Sequence, residues 1–313
     1  MCLFFAISGY LVSHSLAKNS GLWSFYKSKL VRISLPYATA YLFLSFLLLG
    51  ISFLRPDFFN LTPFHRVFFI GGSYWDFLAG LIPLDSYLNH FLLHWGGYWF
   101  VGEWFIGTLV SMYAISPILY GLAKRFPVVT FFALLAVSIG IYEQAESWWQ
   151  HGFWFFLVRT PEFYMGILLH LYREKIAVRR DMLFGSAFVL MVIVCVANFV
   201  FYHQSFLADR FLPMTPRSFW FSIPMIVFLF DLFERVNEWR DISLFNQFSK
   251  ISYTFMLIQH VVINTFFWQF KVESLSKLGV LVGFFVVLLA TIYFAKKITN
   301  LYKPVEEWLL KGR

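Results

Sequence analysis

The sequence predicts an all-α membrane protein, a polytopic bundle of about nine spanning helices. Of its 313 residues, 59% are hydrophobic and only 13% charged. No soluble core could hide that much apolar surface in one chain of this size, so lipid must be the solvent for much of it. The apolar residues gather into nine runs, most of them near the roughly 20 residues a spanning helix needs. Forty-two Phe, sixteen Tyr and twelve Trp fit lipid-facing helices with aromatic belts at the two interfaces.

The runs are 2–17, 37–54, 99–122, 128–143, 154–172, 183–203, 217–233, 250–270 and 277–299. Run 2–17 is short and has no basic segment before it, so it does not read as a signal peptide. Residues 22–34 mix aromatic and basic side chains ahead of Pro36, which suits a segment lying along the headgroups. The connection 55–98 is the one long external segment and carries His65, Arg66, Asp76, Asp85, His90 and His94. A connection of that length is usually functional or holds interfacial helices. Runs 128–143 and 217–233 are the weakest spanning candidates of the interior set. No internal repeat or second soluble domain interrupts the pattern, so residues 1–313 read as one membrane domain.

Charge sets the orientation. Eighteen Lys and Arg fall on one set of sides and six on the other, with Arg159 inside the membrane. This positive-inside split puts the C-terminus in the cytoplasm and the N-terminus outside. The expected location is a cell (inner) membrane, which the split does not itself specify. The net charge of +8 is scattered between apolar runs, so it serves orientation and implies no nucleic-acid partner. Cys2 and Cys195 sit in apolar runs and offer neither a disulfide framework nor metal-ligand spacing.

The chemistry concentrates in WFFLVRTPEFYMGILLHLY at 154–172. A charge at membrane depth is costly, so Arg159 and Glu162 should face the protein interior and pair at i, i+3. Gly166 and His170 continue that face. Glu103 opens run 99–122 from the same external side, where a carboxylate also suits a helix N-terminus. His260 is the one histidine near the middle of a run, with Tyr253 and Asn264 on its face. Each has an ordinary structural reading as well: an ion pair for packing, a solvated helix end, a hydrogen-bonded core histidine. Ser8 and Gly9 read as small residues for close helix packing. His65, His90 and His94 fit no tight ligand pattern, so no metal is expected.

Five stretches in order carry a resemblance: FFAISGYLV at 4–12, FYKSKLVRISLPY at 25–37, EWFIGTLVSMYAISP at 103–117, RTPEFYMGILL at 159–169 and ISYTFMLIQH at 251–260. The chain resembles the acyltransferase-3 family of integral membrane O-acyltransferases. That resemblance implies transfer of an acyl group, most simply acetyl, to a hydroxyl of a glycan or glycolipid such as lipopolysaccharide or capsule. Acetyl-CoA or another acyl-CoA would be the donor, membrane lipid the surroundings, and no metal a cofactor. Arg32 matches a basic position of the family motif and would meet the donor's phosphates, and His260 closes the last stretch as a candidate site residue that is not the family's expected base. Glu103, Arg159 and Glu162 are the catalytic candidates read from the residues themselves, since acyl transfer needs a base and a donor to the oxyanion. Tyr253 and Asn264, on the face of His260, are candidates to bind substrate. Family members have ten spanning helices, and the nine here are the ten minus the first, which carries the family's signature Arg and His. Residues 1–313 alone are therefore expected not to acylate a glycan. Alternatives are a transporter or export helper for a polysaccharide or lipid-linked sugar, or an inactive truncated acyltransferase.

The charge split gives a topology to test. Reporter fusions after Lys18, Arg125, Arg180 and Arg313 should all read cytoplasmic, and one beside His94 external. An external signal at Arg180 would overturn the orientation.

Overall fold

The computed structural model describes residues 2–18, 21–61, 65, 77, 78, 80–84, 101, 103–149, 155–202, 219–239, 249–269 and 275–311. Among them there is no strand, and each of the nine apolar runs holds a helix. In chain order these are α1 (Cys2–Ala17), α2 (Leu22–Ser52), α3 (Glu103–Arg125), α4 (Pro127–Trp149), α5 (Phe156–Leu171), the short α6 (Arg173–Val178), α7 (Arg180–Tyr202), α8 (Phe219–Trp239), α9 (Ser252–Gln269) and α10 (Lys277–Leu310). Helices α2, α3 and α10 are long and apolar enough to cross a membrane, and α1, α4, α7 and α8 contain shorter apolar helical stretches. The protein is an all-α membrane helical protein. A 3-10 turn at Pro56–Leu61 opens the long connection, and Asp76, Asp85, His90 and His94 lie outside the described residues.

Two boundaries differ from the sequence pattern. No break separates 22–34 from 37–54, because α2 runs unbroken from Leu22 to Ser52 with Pro36 inside it. A helix-interior proline removes one backbone hydrogen bond and costs about 3 kcal/mol in isolation. Buried Tyr37, Ala40, Tyr41 and Leu44 follow directly, and their packing holds the helix through the proline. Helix α10 likewise runs past Pro304 to Leu310. Its 34 residues reach about 51 Å, well beyond the roughly 30 Å hydrocarbon thickness. Ser276 caps its start by accepting a hydrogen bond from the Gly279 amide at 3.1 Å. Leu281, Phe284 and Phe285 on its first half are more than half exposed, as a lipid-facing surface requires.

The helices form two compact units, 1–25 with 111–242, and 26–110 with 243–313. In the second, α9 packs on α10 through a buried hydroxyl cluster: Thr254 Oγ1 lies 3.0 Å from Thr299 Oγ1 and 3.2 Å from the Tyr302 hydroxyl. Every hydroxyl finds a partner there, which is what makes burying it tolerable.

In the first unit α5 is the hub and touches α1, α4 and α8. The α1–α5 crossing is built on glycine. A Cβ at Gly9 would collide with the Phe163 carbonyl, and one at Gly166 with the Ala6 carbonyl. The two backbones therefore touch, with Gly9 and Ser13 spaced as the small-xxx-small pattern of membrane helix pairs. Register along the seam rises together in both helices, Ala6 to Gly166 and Ser13 to His170, so α1 and α5 run parallel. Gly9→Ala or Gly166→Ala should destabilise the protein by about 1–3 kcal/mol or more, since the clash is with backbone that cannot rotate away. Thermal unfolding in detergent checks this. Gly140→Ala, which meets open space, should change little.

Candidate functional site

The helix that carries the charged stripe is locked on several sides. Ser138 of α4 donates to the Val158 carbonyl at 2.7 Å, and the Tyr164 hydroxyl donates to the Pro127 carbonyl at 3.2 Å. The Tyr172 hydroxyl, just past the helix end, donates to the Ala123 carbonyl at 3.1 Å. Leu169 packs with Ala6 of α1 and Ile226 of α8. Pro161 sits between the two charged residues and denies the Leu157 carbonyl its helical donor. Such a position keeps its fold only where neighbouring helices re-satisfy the backbone, and the Ser138 bond lies one residue away.

Arg159 and Glu162 are 3% and 0% exposed, so neither faces lipid. Arg159 Nη1 donates to Glu162 Oε1 at 3.1 Å across the predicted i, i+3 step. Val158, Thr160, Phe163 and Tyr164 around them are buried too. Gly166 and His170 continue the face, as the sequence pattern implies, and both meet α1: Gly166 through its backbone, His170 through a 2.9 Å contact between Nδ1 and Ser13 Oγ.

The other sequence candidates lie on α2, α3 and α9. Glu103 is the first residue of α3, and its side chain lies outside the described residues. His260 and Asn264 are exposed on α9, one turn apart. Tyr253, on the same helix, is half-buried, and its hydroxyl donates to the Ile33 carbonyl of α2 at 3.4 Å. Arg32 has a side chain 60% exposed, with Nε 3.8 Å from Glu306, a carboxylate that Lys303 also approaches at 3.9 Å.

Two polar groupings escaped the sequence reading. Arg235 joins α8 to α7, with Nε 2.6 Å from Asp231 and Nη2 2.5 Å from Asp181. His14 Nδ1 lies 3.3 Å from His170 Nε2. The first had a local signal, Asp231 and Arg235 at i, i+4. The second had none, for its partners are 156 residues apart.

The family model of the acyltransferase domain, that of acyltransferase-3 proteins, matches residues 1–296 of this chain. The chain belongs to that family, and it is a membrane acyltransferase in that general sense. Neither a curated protein nor a solved structure matches it.

Removing one member of the buried pair strands the other charge in a medium that cannot solvate it. Arg159→Ala and Glu162→Ala should each cost about 3–5 kcal/mol, read as a lowered Tm in detergent. The double variant Arg159→Leu with Glu162→Met should recover most of that loss, because two apolar side chains leave no stranded charge.

Proposed function

We propose that the protein, in its full coding context, transfers an acetyl group from acetyl-CoA to a hydroxyl of a cell-surface glycan or glycolipid. The observation that carries this reading is the buried Arg159–Glu162 pair, inside one of the five stretches that carry the family resemblance. Apolar burial alone gives no reason for a charged pair there, since replacing such pairs by hydrocarbon is often neutral or stabilising. Acyl transfer does give one. The acceptor oxygen attacks the thioester carbonyl and loses its proton. The carbonyl oxygen becomes an oxyanion, and the thiolate leaves to be protonated as free CoA. Glu162 is suited to hold the acceptor hydroxyl and draw on its proton, and Arg159 to donate to the developing oxyanion. Glu103 is assigned to the same external half of the membrane by the charge-based orientation. Arg32, exposed and held loosely by Glu306, is suited to meet the donor's phosphates from the cytoplasmic side. His260, Tyr253 and Asn264 line one face of α9 and are the remaining candidates for holding substrate. In this reading the C-terminus is cytoplasmic and the membrane is the inner one.

The test expresses the gene with any coding sequence upstream of Met1 retained, in a host whose surface glycan lacks O-acetyl groups. Nuclear magnetic resonance of the purified glycan should show acetyl esters that mild base removes. The neutral double variant at Arg159 and Glu162 should insert and fold, yet lose the esters by at least 100-fold. Full acetylation by that variant would make the pair structural and remove the observation on which the reading rests.

A further inference from the structure

Acyl transfer as described leaves the end of the α1–α5 seam unexplained. There His170 Nε2 lies 3.3 Å from His14 Nδ1, and His170 Nδ1 lies 2.9 Å from Ser13 Oγ. Without an ion the first distance is that of a long N–H···N hydrogen bond. It matches another figure well. Two imidazole nitrogens at about 2.0–2.1 Å from one tetrahedral ion are separated by about 3.3–3.4 Å. The ring centroids are 5.4 Å apart and the ring planes 78° apart, an edge-on arrangement with the two nitrogens lying between the rings.

We propose that His14 Nδ1 and His170 Nε2 bind a divalent transition-metal ion of the zinc and nickel class. Ser13 supplies the outer support that metal-bound histidines ordinarily have. The 2.9 Å contact fits the tautomer a metal needs, with the Nδ1 proton toward the hydroxyl and the lone pair on Nε2, facing His14. Ser13 is wholly buried, so that oxygen is fixed in place. His14 is exposed, which gives an ion and its waters a way in. Arg173, three residues beyond His170, opposes a cation and limits the affinity. No group of three or more His, Cys, Asp or Glu converges among the described residues, so water would fill the other coordination positions. Such a site is open and exchangeable, unlike a closed structural zinc centre.

Untagged full-length protein, stripped with chelator in detergent, is titrated with Ni2+ and Zn2+ by calorimetry, and with Co2+ by visible absorption. The expected result is one site per chain that disappears in His14→Ala and in His170→Gln and survives in His65→Ala. Ser13→Ala should weaken it about 10–100-fold without changing the stoichiometry, the usual cost of removing an outer-shell partner. The Tm measured without metal shows that each variant is folded, and Ni2+ should raise the Tm of the wild type alone among wild type, His14→Ala and His170→Gln. Undiminished binding in the His14→Ala, His170→Gln double variant would overturn the site. So would a folded wild type that binds none of the three ions.

Discussion

The contact on which the first unit depends is the crossing of α1 and α5 at Gly9 and Gly166, where no side chain separates the two backbones. In lipid there is little hydrophobic drive to bring helices together, so close van der Waals packing of small residues takes its place. That approach fixes the register of the pair. It sets Ser13 beside His170 and Ala6 beside Leu169, and α8 then completes the cluster through Ile226.

The same helix bears the costliest residues in the unit. Burying an ion pair is rarely a net gain in stability, and Arg159 and Glu162 are among the least exposed side chains of the chain. Their helix is anchored on several sides. Ser138, Tyr164 and Tyr172 each link it by a hydroxyl to a backbone carbonyl, and Pro161 weakens its own ladder beside the pair. Polar groups placed this way stay aligned without depending on flexible side chains. Such a scaffold suits a charged pair that has to hold one geometry.

The second unit handles polarity differently. Thr254, Thr299 and Tyr302 satisfy one another inside the α9–α10 contact, and the charged residues Arg32, Lys303 and Glu306 gather near the far end of α10. A helix of 34 residues can serve both environments because its first half is apolar and its last half alternates charge with small apolar stripes. The charged end and the apolar face are consequences of length as much as of composition.

Helix type and rough position were legible because each spanning segment must satisfy its own backbone in lipid, and an apolar run of the right length has little else to become. The Arg159–Glu162 pair was legible for a similar reason, since its partners lie one turn apart and their expense at membrane depth marks them. Gly9 could be suspected of close packing, but not matched to Gly166. The unbroken path of α2 through Pro36 was hidden, because local rules count the lost hydrogen bond and not the packing that offsets it. His14, His170 and Ser13 were invisible as a group. Nothing in a one-dimensional pattern links residues more than 150 positions apart. Only the parallel packing of α1 on α5 brings those side chains within reach of one another, because contacts between helices depend on register, and register is decided by the tertiary fold.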